Sequence, residues 1–184
     1  MTGSNKGKVL VAHPSIPGQL FGSSVVYVYE DTAVGTAGII LNKQTNYSIR
    51  QMFADKGFIV DHVGCVYAGG PINTRAITLL HSEEWHSQNS TPVGNGLCIS
   101  SDSLMFEKMS MGNQPHYWRL AVGQCGWGPG QLDEEINGTG RFDGGTPSWL
   151  VTDVEIDLLF ETDGERQWEL AIDYCSRRAV QSWF

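Results

Sequence analysis

After a short polar opening, Lys8–His13 is rich in Val and Leu and is ended by Pro14, the pattern of a well-buried strand. Ser24–Glu30 (SVVYVYE) is the clearest strand, branched or aromatic through most of its length. Asp31–Gly35 supplies a turn and Thr36–Asn42 (TAGIILN) a returning strand, so the two form a predicted hairpin. The period then changes. Ser48 stands as N-cap to a helix over Ile49–Lys56, with Ile49, Met52 and Phe53 at i, i+3, i+4 and Gly57 as its stop.

Short strands follow at Cys65–Ala68, ending in Gly69-Gly70-Pro71, and at Ala76–Leu80, finishing at His81. Ser82–Gly96 is polar and turn-rich and reads as an exposed loop before a strand at Leu97–Ser100. Ser100 or Ser101 is placed to cap a helix through Met109 that turns Leu104, Met105 and Met109 inward. Tyr117–Gln124 reads as a central strand, running into Gly126-Trp127-Gly128-Pro129-Gly130 and a helix to Ile136. Asn137–Pro147 is a Gly-rich surface loop, Trp149–Val151 a short strand, and Asp153 a cap for a helical turn reaching Phe160. Arg166–Arg178 closes the pattern with an amphipathic helix carrying Trp168, Ala171, Ile172 and Cys175 on one stripe. The irregular interleaving of strands and helices, with a local hairpin, predicts an α+β fold. No internal repeat or linker divides it, so residues 1–184 read as one domain with terminal tails at 1–7 and 179–184.

Composition narrows the function classes. With 12 Lys and Arg against 20 Asp and Glu, net charge −8, a broad positive face is not expected, and neither is direct nucleic-acid binding. No signal-peptide layout and no run long enough to span a bilayer is present, so a cytoplasmic protein without membrane attachment is expected. Cys65, Cys98, Cys125 and Cys175 are scattered and read as reduced, buried thiols.

Chemistry is sparse. His81 to His86 is not a zinc-protease helix motif, and its spacing does not put both rings on one helical face, so no metal is expected. No nucleophile elbow, phosphate loop or dinucleotide fingerprint occurs, and no cofactor is implied. The richest segment is Gln124 to Glu135. Its glycines allow a sharp strand-to-helix turn, and Pro129 suits a first helical turn. Asp133, Glu134 and Glu135 oppose a phosphate at that helix start and also oppose a lowered pKa at Cys125, the thiol best placed for one. Trp127 reads either as a lid packed on the core or as one wall of a binding site. His13 reads as a satisfied core histidine at a strand end.

The order of these segments resembles the AlgH/YqgE-like family of bacterial proteins, whose molecular function is not established. The resemblance rests on Val9–Pro14, Phe21 with Ser24–Tyr27, Gly38–Lys43, Val66–Pro71, Leu80–Ser82, Ser100–Asp102 and, most specifically, Gly123–Glu135, with Trp149 and Trp168 beyond. Gln124-Cys125 stands where that family usually has Tyr-Ala, so the thiol is not a family requirement. The resemblance implies mixed sheets curled towards a partial barrel with several packed helices, and a link to transcriptional regulation.

These readings converge on a binding or regulatory protein that acts through a protein or small-molecule partner, with any effect on transcription indirect. Its expected site comprises Gly69, Gly70, Pro71, Gly126, Trp127, Gly128, Gly130 and Gln131, with Asn42, Ser101 and Asp102 as polar neighbours. The alternatives are an enzyme using His81, Asp102 or the 133–135 acids, or an assembly protein using the 137–147 loop and the Trp183-Phe184 tail. Oligomeric state is not legible from the pattern.

Overall fold

The computed structural model describes residues 3–141 and 144–183. Its ten strands are β1 (Val9–Ala12), β2 (Val25–Thr32), β3 (Gly35–Ile40), β4 (Gln44–Ser48), β5 (Cys65–Ala68), β6 (Ile72–Ser82), β7 (Thr91–Gly94), β8 (Leu97–Ser100), β9 (Trp118–Trp127) and β10 (Trp149–Thr152). Four α-helices accompany them: α1 (Ile49–Asp55), α2 (Ser103–Ser110), α3 (Gln131–Asn137) and α4 (Gly164–Gln181), with a π-helical turn at Asp157–Glu161 before the last. The strand order is β10-β1-β2-β3-β9-β6-β8-β7, with β4 and β5 branching off.

β9 is the hub. Its C-terminal half pairs with β3 through Cys125–Trp127, and β5 takes over the same edge in parallel at Ala121–Val122. Gly69 makes the hand-over: it accepts from the Ile40 N–H (2.9 Å) and donates to the Val122 carbonyl (2.8 Å). β6 lines the other edge, antiparallel, with a register shift between Ile72 and Ile77. All other pairings are antiparallel, and the sheet curls into a half-barrel. Tyr27 spans the curl from β2, donating its hydroxyl to the Val93 carbonyl of β7 at 3.1 Å. Asn95 ties the same far edge back by donating to the Gly7 carbonyl (2.7 Å).

Both faces of the central strands are covered, which explains why β1 and β2 read as nearly continuous apolar runs rather than alternating ones. Val9, Val11, Val25 and Tyr27 face a core shared with Leu158, Leu159 and Ala171 of the C-terminal cover. Leu10, Ala12, Val26 and Val28 face the opposite way, onto Cys125, Trp127, Leu132 and Trp149. A third core holds α1 and α2 to the sheet through Met52, Phe53, Met105, Phe106 and Met109.

The predicted hairpin and helices are present, with Ser48 accepting from the Gln51 N–H as the cap of α1. Several details differ. β4 was not expected, since QTNYS is polar; its side chains alternate between solvent and half-burial on an outer strand. β7 lies inside the polar, turn-rich segment read as a loop; it occupies the sheet edge, where the missing N–H of Pro92 is tolerated. The cap of α2 is Asp102, not a serine, and Phe106 packs inward while Leu104 is exposed. Asp153 caps nothing and instead pairs with Lys8 (2.6 Å) and Arg178 (2.9 Å). Residues 179–181, read as tail, continue α4. No helix among the described residues is long and apolar enough to cross a membrane.

Candidate functional site

The strand-to-helix turn after β9 is held by side-chain hydrogen bonds rather than by backbone alone. Gly130 adopts the left-handed conformation (φ 74°) that brings the chain into α3, which starts at Gln131 rather than Pro129. Gln131 folds back so that its Oε1 accepts from the Gly128 N–H (2.9 Å), while its Nε2 donates to Glu135 Oε1 (2.9 Å). Glu135 Oε2 accepts from two indoles at once, Trp127 Nε1 at 2.9 Å and Trp149 Nε1 at 2.7 Å. One carboxylate one turn into α3 therefore sets the end of β9 and the start of β10 side by side.

Trp149 reaches that position because the intervening loop is tied back: Ser148 N–H donates to the Glu135 carbonyl at 2.8 Å and Thr139 N–H to that of Glu134 at 3.0 Å. The two indoles meet edge to face, ring centres 6.0 Å apart at 81°, and Phe21 meets Trp149 at 6.4 Å and 81°. Beside these rings opens a cavity of about 360 Å³, walled further by Ile16, Pro17, Pro71, Ile72, Gly126 and the rim of Gln131 and Glu135. Its size suits a small ligand, and its walls are largely apolar.

Of the sequence-predicted residues, Pro71, Gly126, Trp127 and Gln131 line this cavity together. Gly128 and Gly130 shape the turn beside it. Gly69 and Gly70 are buried behind it, where their role is steric: a Cβ on Gly70 would lie 2.2 Å from the Gln124 carbonyl. Trp127 is both of the things it was read as, buried on the core and a wall of the cavity. Cys125 also borders the cavity, but burial pushes its thiol up to about 12, against the lowered pKa that an exposed helix start would give.

Asn42 lies elsewhere. Its Oδ1 accepts from the Val25 N–H (2.9 Å), and its Nδ2 donates to the carbonyls of Ser23 (2.8 Å) and Gly164 (2.9 Å), pinning the start of α4. It borders a second, polar cavity of about 720 Å³ with Lys43 and Gln44. Burial lowers the Lys43 ammonium, whose Nζ donates to the Gly22 carbonyl at 2.5 Å. Ser101 and Asp102 sit apart again, on the α2 side. Asp102 accepts from Ser87 Oγ (2.5 Å) and from the N–H groups of Asn89 (2.9 Å) and Met105 (2.9 Å). Burial works to raise its carboxyl, but these hydrogen bonds outweigh it and hold the group below its ordinary range.

His81, read as the finish of a strand, is fully buried near the end of β6. Its Nδ1 lies 2.9 Å from the Ser82 carbonyl, which can only accept, so Nδ1 carries the proton and Nε2 accepts from Ser100 Oγ at 2.8 Å. Ser100 in turn meets Ser90 Oγ at 2.6 Å. Burial lowers the imidazole below its ordinary value. His13 is half-buried at the end of β1, against Ser15 Oγ (2.7 Å). Among the described residues no three His, Cys, Asp or Glu side chains are grouped as a metal ion would require.

Sequence reasoning missed Phe21, Glu135 as a clamp, and Arg119. Arg119 is buried, with its guanidinium donating to the carbonyls of Leu41 (2.8 Å) and Thr162 (3.0 Å) and to Gln167 Oε1 (2.7 Å), and lying over the Tyr67 ring at 4.5 Å. A lone Arg in an apolar strand (WRLAV) was the available signal for it.

The AlgH-like family profile matches residues 9–178. The chain belongs to the AlgH-like family. A UPF0301 protein of Methylococcus capsulatus is 29% identical over 177 residues, 91% of this chain and 90% of the relative. One from Thioalkalivibrio sulfidiphilus is 28% identical over 176 residues, 93% of this chain and 90% of the relative. The solution structure of the AlgH protein from Pseudomonas aeruginosa superposes with a TM-score of 0.74 at 22% identity, covering 93% of this chain and 88% of that one. At that identity the likeness speaks to the AlgH-like half-barrel.

Proposed function

We propose that this AlgH-like chain is a binding module that holds a small ligand in the cavity beside the Gly126–Gln131 turn. Any regulatory effect is passed on through that ligand or a protein partner rather than by direct contact with DNA. The observation that carries this reading is the cavity itself: about 360 Å³ of apolar, aromatic-walled space built around one fixed carboxylate. Two further features support binding over catalysis. Cys125, the thiol bordering the cavity, is held neutral by burial. His81 and Asp102, the acid–base candidates, are tied into one hydrogen-bond chain through Ser100, Ser90 and Ser87, and neither lines this cavity. The net charge of −8 argues against a nucleic-acid surface.

Ile72 lines the cavity and is half-exposed, so Ile72→Trp fills the space without disturbing a core. Native mass spectra of the wild type and this variant, each purified gently from its own cells, test the reading. A small-molecule adduct on the wild type that the variant loses is the expected result. An adduct unaffected by Ile72→Trp, or no adduct together with no ligand-induced change in tryptophan emission, overturns it.

A further inference from the structure

Resting on the cavity reading above, the geometry points to a ligand class: a small organic cation whose nitrogen carries methyl or other alkyl groups in place of N–H. Three observations combine. The cavity is lined by Phe21, Trp127 and Trp149, and the two ring pairs stand at 81°, so the three rings around it do not share one plane. Aromatic faces carry negative potential and attract cations, most strongly where water is displaced. Perpendicular rings present that potential around a rounded charged group, which a flat stack of rings does not.

The second observation is charge. Among the described residues Glu135 is the single carboxylate lining the cavity, and its described partners, Trp127, Trp149 and Gln131, are all neutral donors. Among the described residues no Lys, Arg or His borders the space and no salt bridge involves Glu135. A half-exposed carboxylate thus sits at the rim of an apolar cavity with no cation among its described neighbours, where a bound cation can pair with it.

The third observation concerns hydrogen bonds, and it narrows the cation. Oε2 of Glu135 already accepts two bonds and Oε1 one. Gln131 Oε1 is occupied by the Gly128 N–H. A primary ammonium brings three N–H donors that each need an acceptor, and the Glu135 carboxylate has about one of its four acceptor sites left. An alkylated ammonium brings charge without donors, and its methyl groups match the walls of Ile16, Pro17, Pro71 and Ile72. The volume exceeds that of a trimethylammonium head alone and leaves room for a short arm.

The test compares choline with 3,3-dimethylbutanol, its neutral isostere, by titration into the ¹⁵N-labelled protein. The readout is the indole N–H signals of Trp127 and Trp149. Choline is expected to shift both and to bind at least about tenfold more tightly than the isostere. Phe21→Leu, which keeps an apolar wall but removes a ring, is expected to weaken choline about three- to tenfold and leave the isostere unchanged. Equal binding of the two probes means the charge is not read, and the inference falls while the cavity remains a site. If neither probe moves the indoles but Ile72→Trp still strips a native adduct, the ligand is of another class and the inference falls alone. If that variant also changes nothing, both readings fall together.

Discussion

At the scale of single residues, stability turns on whether buried polar atoms keep their partners. Glu135 accepts from three side-chain donors, two of them indole N–H groups with no other partner. Glu135→Ala strands those donors and is expected to cost about 2–4 kcal/mol, read from the urea midpoint. Ser24 is the contrast. Its hydroxyl is buried with no hydrogen-bond partner among the described residues, so Ser24→Ala should change stability by less than about 0.5 kcal/mol or raise it. His81 adds a pH dependence. Burial lowers its pKa from the ordinary 6.5, so its neutral form contributes stability that is present above 6.5 and lost as pH falls through the folded value. Half-buried His62 is lowered in the same sense. The melting temperature should therefore fall on acidification below about pH 6, with a shallower slope in His81→Gln; equal slopes would remove His81 from the account.

Elements show which features were legible in the residue pattern and which were not. β2 and β3 carry runs of branched and apolar residues and α1 and α4 a helical period, and each lies within a few residues of where the pattern put it. β4 and β7 were invisible because an outer strand needs no apolar face and can hold Pro92. At the candidate site, the turn and Trp127 were legible from Gly-Trp-Gly-Pro-Gly. Glu135 read as one of three acids, repelling an anion or serving as an acid or base, and not as a clamp, because nothing local says that Trp149, fourteen residues on, returns to it. Phe21 was likewise quoted for its place in a family pattern and not for chemistry. Asn42, Ser101 and Asp102 were grouped by composition at strand ends, yet the curl of the sheet sends those ends in different directions. Two substitutions probe the elements. Asp102→Ala removes the cap of α2 and the anchor of Ser87 and Asn89, for an expected loss of about 1–2 kcal/mol. Gly70→Ala drives a Cβ into the β9 backbone and should cost about 2–4 kcal/mol, more than any exposed glycine replacement; a smaller loss would mean that the β5–β9 crossing can loosen.

For the whole molecule, burial of acidic protons sets an upper pH limit on the fold. Tyr27, Tyr29 and Cys125 are each pushed up to about 12, and Cys175 to about 11, in every case with burial as the largest cause. Groups raised in this way lend stability that is complete below their ordinary values of 10.0 for tyrosine and 9.0 for cysteine, and that disappears as pH climbs to the folded values. Thermal scans should therefore show a plateau near neutral to mildly alkaline pH and a steep fall between about pH 10 and 12. Tyr27→Phe should soften that fall while opening the closure between β2 and β7.

The pairing of β1 with β10 has a consequence for how the chain is made. Val9 lies opposite Thr152, and Ala12 opposite Trp149, so β1, once made, keeps one edge unpaired until some 140 further residues have been synthesised. α4 packs on β1 as well and arrives later still, while Arg119 waits for Thr162 and Gln167 to receive its donors. During that interval an apolar strand with a bare edge is exposed to other nascent chains, the arrangement that favours aggregation. A chain cut short before β10 therefore leaves β1 with a bare apolar edge, which other chains can pair with unless a chaperone covers it.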